Sequence, residues 1–312
     1  DTNQDKLPVS AIDTRGRAVY VVDILTGERI WSYSNQDNPA EMTYCIPSDV
    51  ARVDTDGNGK IDRLYVGDMG GRSWRFDIGD LNKDGISNTG EWTAKIIFSS
   101  NAGSSDQRKI FNPPDVTLEK DSGNYEMLFF GTGDREHPKA TNFINRLYAV
   151  KDKNLPTILT ETNLVDVTAD RLQDPSTTET QKIALLNDLS QKNGWFIKLE
   201  NPGEKCLSVP VVFYGIVYYS TFSPTAGSET DLCFVGEGTS RLYALQYKTG
   251  NAVFNLDGLG LLGFEAIQQR DYPVIFGTLF LFTLLGFILR LISHVLYQVI
   301  DPRINFDSRG AE

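Results

Sequence analysis

From residue 1 to about 257, apolar and polar positions alternate in short runs rich in Tyr, Phe and Val, and Gly, Asp, Asn and Pro separate the runs. A period of two with such punctuation predicts strands joined by turns, so this part of the chain reads as all-β. A weak repeat runs through it, with "RAVYVVDILTGERIW" at 17–31, "DRLYVGDMGGRSWRFDI" at 62–78, "NRLYAVKDKN" at 145–154 and "SRLYALQYKTGNAVF" at 240–254. The aligned Tyr20, Tyr65, Tyr148 and Tyr243 lie 45, 83 and 95 residues apart. With blades of roughly 40–50 residues, these gaps read as one, two and two blades of a partial β-propeller, and an irregular β-sandwich is the alternative with similar short strands.

Two segments break the pattern. "STTETQKIALLNDLSQKNG", 176–194, predicts one inserted helix, with Ser176 and Glu179 as its capping box, an apolar stripe of Ile183, Leu185, Leu186 and Leu189, and Gly194 as its stop. The second is "YPVIFGTLFLFTLLGFIL", Tyr272–Leu289, which carries no charge; after Arg290 the sequence continues apolar to Ile300. That length and hydropathy predict a C-terminal transmembrane-type α-helix over 272–300, with Arg290 snorkelling towards an interface. The chain therefore reads as two domains, 1–257 and 258–312. It opens at Asp1 with neither Met nor a signal core, and is expected to be the interior or C-terminal part of something longer.

Composition narrows the chemistry. A formal net charge of -11 argues against a sequence-independent nucleic-acid binder and suits an exported or cation-binding protein. The two histidines, His137 and His294, make a histidine-based zinc or catalytic site hard to build, and no G-x-S-x-G elbow is present. "GTGDREHP", 131–138, reads as a solvated loop with ion pairs, and "VGDMGGR", 66–72, as a hairpin turn. Cys45, Cys206 and Cys233 allow at most one internal bridge.

Two acidic loops carry the main chemical signal. Calcium takes six to eight hard oxygens, which alternate side chains of a curled loop supply from one segment. In "DLNKDGISNTGE", 80–91, Asp80, Asn82, Asp84, Asn88 and Glu91 hold positions 1, 3, 5, 9 and 12, Gly85 holds position 6, and the Ile86 carbonyl fills position 7. In "DTDGNGKID", 54–62, Asp54, Asp56, Asn58 and Asp62 hold positions 1, 3, 5 and 9, with Gly59 at position 6 and the Lys60 carbonyl as the backbone ligand. Tyr65 replaces the glutamate of position 12, so another oxygen must complete the site or Asp62 must bind directly. Asp, Asn and Gly also form plain turns, which is the alternative for both loops.

"CIPSDVARVDTDGNGKIDRLYVGDMGGRSWRFDI" resembles the calcium-loop region of the PilY-type family of type IV pilus biogenesis factors and tip-associated adhesins. "EMLFFGTGDRE", "GWFIKL", "SVPVVFYGIVYYSTFSP" and "SRLYALQYKTG" resemble further segments of its C-terminal domain in the same order, over about 10–255. The resemblance implies a modified β-propeller of which blades are missing, and a calcium ion held by Asp54, Asp56, Asn58, the Lys60 carbonyl and Asp62. The second loop has no counterpart in that pattern and rests on ligand spacing. The implied function is non-enzymatic: calcium-dependent work in pilus assembly, retraction control or tip adhesion, with minor pilins or a host surface receptor as partners. The implied location is the cell surface, pilus or periplasm, and there Cys206 and Cys233 are expected to pair, with Cys45 left over.

"VVDILTGERIW" also resembles the quinoprotein dehydrogenase repeat, in which Thr26, Gly27 and Trp31 would dock blades. The stronger reading of this segment is plainer: Thr-Gly forms a hairpin turn and Trp31 packs between sheets. From Gly258, "GLGLLGFEAIQQRDYPVIFGTLFLFTLLGFILRLISHVLYQVIDPRI" resembles the end of peptide- and microcin-type ABC importer permeases. That implies an inner-membrane anchor and a fusion near Asp257, natural or an assembly artefact. A permease fragment and a quinoprotein-like enzyme are thus the alternatives.

Overall fold

The computed structural model describes residues 13–100, 108–121, 123–225 and 238–255. Four sheets follow one another along the chain. β1 (Ala18–Val22) and β2 (Arg29–Ser34) form a hairpin. β3 (Ala51–Val53), β4 (Arg63–Gly67), β5 (Arg72–Asp77) and β6 (Thr93–Ser99) form an antiparallel meander in that order. The third sheet contains β7 (Asp115–Glu119), β8 (Tyr125–Gly131), β9 (Arg146–Asp152), β10 (Val165–Asp166) and β11 (Gly194–Lys198), in the order β10-β11-β9-β8-β7. In the fourth, β12 (Lys205–Cys206), β14 (Ile216–Pro224), β15 (Gly238–Gln246) and β16 (Ala252–Asn255) pair in sequence and β13 (Val211–Phe213) joins β14.

The sheets pack face to face in chain order, which is why their strands read as apolar on both sides. In β8, Leu128 and Phe130 enter a core with Tyr65 and Phe98 of the second sheet. Their neighbours Met127 and Phe129 enter a core with Val217 and Tyr219 of the fourth. On the far side of the second sheet, Leu64, Val66, Trp74 and Phe76 meet Val19, Trp31 and Tyr33 of the first hairpin. A period of two splits each strand between two cores, so an inner blade has no solvent face.

The turns and connecting segments beside the sheets are also tied in chain order by single backbone bonds. Ile46 N donates to Gly16 O (2.9 Å), Met69 N to Cys45 O (2.9 Å), Ile110 N to Asp68 O (3.1 Å), Gly133 N to Lys109 O (3.0 Å) and Cys206 N to Thr132 O (3.0 Å). The stack has the build of propeller blades, and the described residues close no ring.

The spacing of the repeat tyrosines misleads. Tyr20, Tyr65, Tyr148 and Tyr243 fall in β1, β4, β9 and β15, one in each successive sheet, so the one, two and two blades expected between them become one step each. The extra length goes into the second acidic loop, the connection from β6 to β7, and the long passage from β9 to β11.

That passage contains the single described α-helix, α1 (Glu179–Gln191). Its capping box is formed by Thr178 and Gln181, two residues beyond the expected Ser176 and Glu179. Ser176 is taken by Asp174, whose Oδ1 accepts from the Ser176 N–H (2.8 Å) and hydroxyl (2.7 Å). Of the apolar stripe, Leu189 is buried and Leu185 packs on the core, while Ile183 and Leu186 stay exposed. Lys192 is the C-cap, and Gly194 opens β11, where a Cβ would stand 1.9 Å from the Ala149 carbonyl oxygen. Gly194 is thus required by strand contact rather than by the helix end.

The chain divides into residues 1–255 and 256–312, and all of the second unit lies outside the described residues, including the predicted membrane span 272–300. Among the described residues, no helix is long and apolar enough to cross a membrane.

Candidate metal centre

Both acidic loops lie at one end of the second sheet, since the meander places the β3–β4 and β5–β6 connections on the same side. They line one cleft of about 670 Å³, together with Arg63, Asp77, Ile78, Gly79 and Trp92. Ile78 N donates to the Asp62 carbonyl (2.9 Å), and Trp92 Nε1 to the Gly79 carbonyl (2.9 Å), tying the loop bases to each other and closing the second loop.

The two loops share a hydrogen-bond frame. The carboxylate at position 1 accepts the N–H of the glycine at position 6: Asp54 from Gly59 at 2.7 Å, Asp80 from Gly85 at 2.8 Å. Position 3 accepts from position 5, Asp56 from Asn58 at 3.1 Å and Asn82 from Asp84 at 3.0 Å. Position 5 accepts from position 7, Asn58 from Lys60 and Asp84 from Ile86, both at 2.8 Å. Gly59 (φ 83°) and Gly85 (φ 91°) supply the left-handed turn at position 6, and position 4 is left-handed too, as Gly57 (φ 78°) in one loop and Lys83 (φ 61°) in the other. The sequence spacing therefore corresponds to one backbone conformation formed twice.

The loops differ in how they gather charge. Carboxylate oxygens of Asp54, Asp56 and Asp62 lie within 4.8 Å of one another. Asp62 is held by Thr55, which the sequence reading missed: the Thr55 hydroxyl donates to Oδ2 (2.8 Å) and its N–H to Oδ1 (3.1 Å). The Gly59 N–H, followed by those of Gly57 and Asn58, keeps the Asp54 carboxyl below the usual range and therefore ionised.

In the second loop Asp80, Asp84 and Glu91 do not form such a group. The Asn82 amide donates instead to Asp84 (3.2 Å) and Glu91 Oε1 (3.0 Å), and Asn88 donates to the same oxygen at 3.3 Å. Glu91 Oε2 is buried and has no hydrogen-bond partner. An all-oxygen donor set of this kind fits a hard dication and offers nothing to a soft metal.

The other candidates resolve as structure. Asp134, Glu136 and His137 gather within 4.8 Å, but the Lys109 ammonium sits 2.8 Å from Asp134 Oδ2 and His137 Nδ1 2.9 Å from the same oxygen. "VGDMGGR" is the β4–β5 turn. Trp31 stacks on Tyr33 and meets Phe76 edge-on between two sheets. Cys206 is buried, with its thiol 3.5 Å from the Ser208 carbonyl, and Cys233 lies outside the described residues.

Fold and site define a stack of propeller-like β-blades with oxygen-rich loops between strands. The chain is similar to a type IV pilus biogenesis factor PilY1 homolog of Xylella fastidiosa, 27% identical over 264 residues that cover 77% of this chain and 17% of that protein. Its fold is similar to the crystal structure of the Pseudomonas aeruginosa PilY1 C-terminal domain, with a TM-score of 0.54, 18% identity, and coverage of 75% of this chain and 53% of that one. It is also 56% identical over 57 residues to the inner membrane ABC transporter permease protein YejB of Escherichia coli O157:H7, covering 18% of this chain and 16% of that one. No protein-family model matches. The two-part resemblance, to PilY-type proteins and to a peptide-type permease, therefore holds, and the chain spans about a sixth of the length of these curated relatives.

Proposed function

We propose that the chain is a calcium-dependent, non-enzymatic part of the type IV pilus machinery, working at the cell surface or in the periplasm. The observation that carries this reading is the first loop, where three carboxylates converge within 4.8 Å at the end of a blade stack similar to a PilY1 C-terminal domain. Asp54, Asp56, Asn58, the Lys60 carbonyl and Asp62 would hold the ion. In the second loop the ligands would be Asp80, Asn82, Asp84, the Ile86 carbonyl, Asn88 and Glu91, once the Asn82 and Asn88 amides turn their oxygens inward. The large, flexibly coordinated calcium ion suits such loops better than magnesium, which demands a small octahedron. It would supply charge neutralisation; the protein residues fix the loop and the surface around it.

No bond is made or broken in this reading. The ordered loops would present a surface to minor pilins or to a host receptor, and the C-terminal segment would anchor the chain in the inner membrane. The test is genetic: in the source bacterium, Asp54→Ala with Asp62→Ala should reduce surface pili and remove their dependence on calcium. Unchanged piliation at every calcium level would contradict the reading.

A further inference from the structure

The cleft between the acidic loops ends on a charge network that leaves the sheet. Arg63 follows Asp62 directly and opens β4, and in register opposite it stands Asp77, the last residue of β5. Both line the cleft. Arg63 Nε donates to Asp77 Oδ1 at 3.0 Å, and its NH1 reaches Glu126 Oε2 at 2.5 Å, in β8 of the next sheet. Arg75 repeats the pattern, with 2.6 Å to Asp77 and 3.0 Å to Asp152 Oδ2 in β9, and that oxygen also accepts from the Tyr65 hydroxyl at 2.9 Å. Arg75, Glu126 and Asp152 are only 3%, 8% and 4% exposed, so water screens these contacts little.

We propose that Arg63 is a positioning residue that couples cation occupancy of the cleft to the docking of the third sheet; the proposal rests on the calcium reading above. Arg63 lines the cleft together with Asp56 and Asp62, and its guanidinium pairs with Asp77 and, in the next sheet, with Glu126. With no cation to neutralise them, Asp62 and Asp56 compete with Glu126 for it. A dication held by Asp54, Asp56 and Asp62 removes that competition and repels the guanidinium, which strengthens its pairing with β8. Coupling is reciprocal, so the Glu126 pairing must in turn favour the cation. The Asp62 carbonyl, held by Ile78 N at 2.9 Å, keeps the loop base fixed against β5 while this happens.

Glu126→Gln keeps the side-chain shape and removes its charge. Calorimetric titration of the full chain with calcium chloride should give an affinity at least about fivefold weaker in this variant, the lower end of ordinary coupling. Asp115→Asn, which loosens a contact to the fourth sheet through Val212 N at 2.6 Å, should leave the affinity unchanged. In the unsubstituted chain, calcium should slow amide exchange in β8 as well as in the loops. Equal affinity in Glu126→Gln, an equal loss in Asp115→Asn, or slowing confined to residues 54–62 and 79–91 would overturn the coupling while leaving calcium binding intact. Absence of calcium binding in the unsubstituted chain would instead remove the underlying reading, and the coupling with it. Should Glu126→Gln fail to fold, the exchange measurement decides.

Discussion

Asp68, in the β4–β5 turn, is fully buried and accepts hydrogen bonds from Arg72 N (2.9 Å) and Trp74 Nε1 (2.8 Å). Burial pushes its carboxyl up to about 6 against these bonds. Because the folded protein holds this proton more tightly than the unfolded chain, stability should fall as pH rises from about 4 to about 6, by up to about 3 kcal/mol. Asp68→Asn should flatten that fall. It should also cost about 1–3 kcal/mol at low pH, since one amide oxygen cannot serve both donors. Denaturant unfolding across pH 4–7 checks both outcomes. The shared turn of the two acidic loops could be read from residue positions because all of one loop's candidate oxygens come from a single segment, where spacing alone encodes geometry. Arg63, Asp77 and Glu126 carry no such signal, since only tertiary packing brings Glu126 to Arg63.

At the scale of elements, loop and helix ends separate what local chemistry dictates from what it permits. The shared frame of the two loops follows from glycine at position 6 and acceptors at positions 1, 3 and 5, all visible in the sequence. The helix start is not legible in the sequence, because Ser176, Thr177 and Thr178 are all competent caps and the choice falls to Asp174, which captures Ser176. Thr178→Ala should therefore cost about 1 kcal/mol, while Ser176→Ala should leave α1 intact. Thermal unfolding followed by far-ultraviolet circular dichroism distinguishes them, and a greater loss at Ser176 would restore the earlier start.

For the whole molecule, the all-β class was legible because short runs rich in Tyr, Phe and Val are punctuated by Gly, Asp, Asn and Pro from residue 1 to about 257. The number of blades was not, because residues added to loops lengthen the gap between repeats without adding a sheet. One repeat tyrosine per sheet, serial cores and serial backbone bonds together make a stack in which the second sheet is held on both faces and projects its acidic loops from one end. Such a base can keep its fold while losing a ligand. The most direct test of the central claim is calorimetric titration of the full chain with calcium, beside Asp54→Ala and Asp80→Ala. The account predicts binding in the unsubstituted chain, an affinity weakened severalfold or more in Asp54→Ala with the fold retained, and a smaller stoichiometry in Asp80→Ala. Absence of binding at millimolar calcium, or Asp54→Ala binding as tightly as the unsubstituted chain, would contradict it.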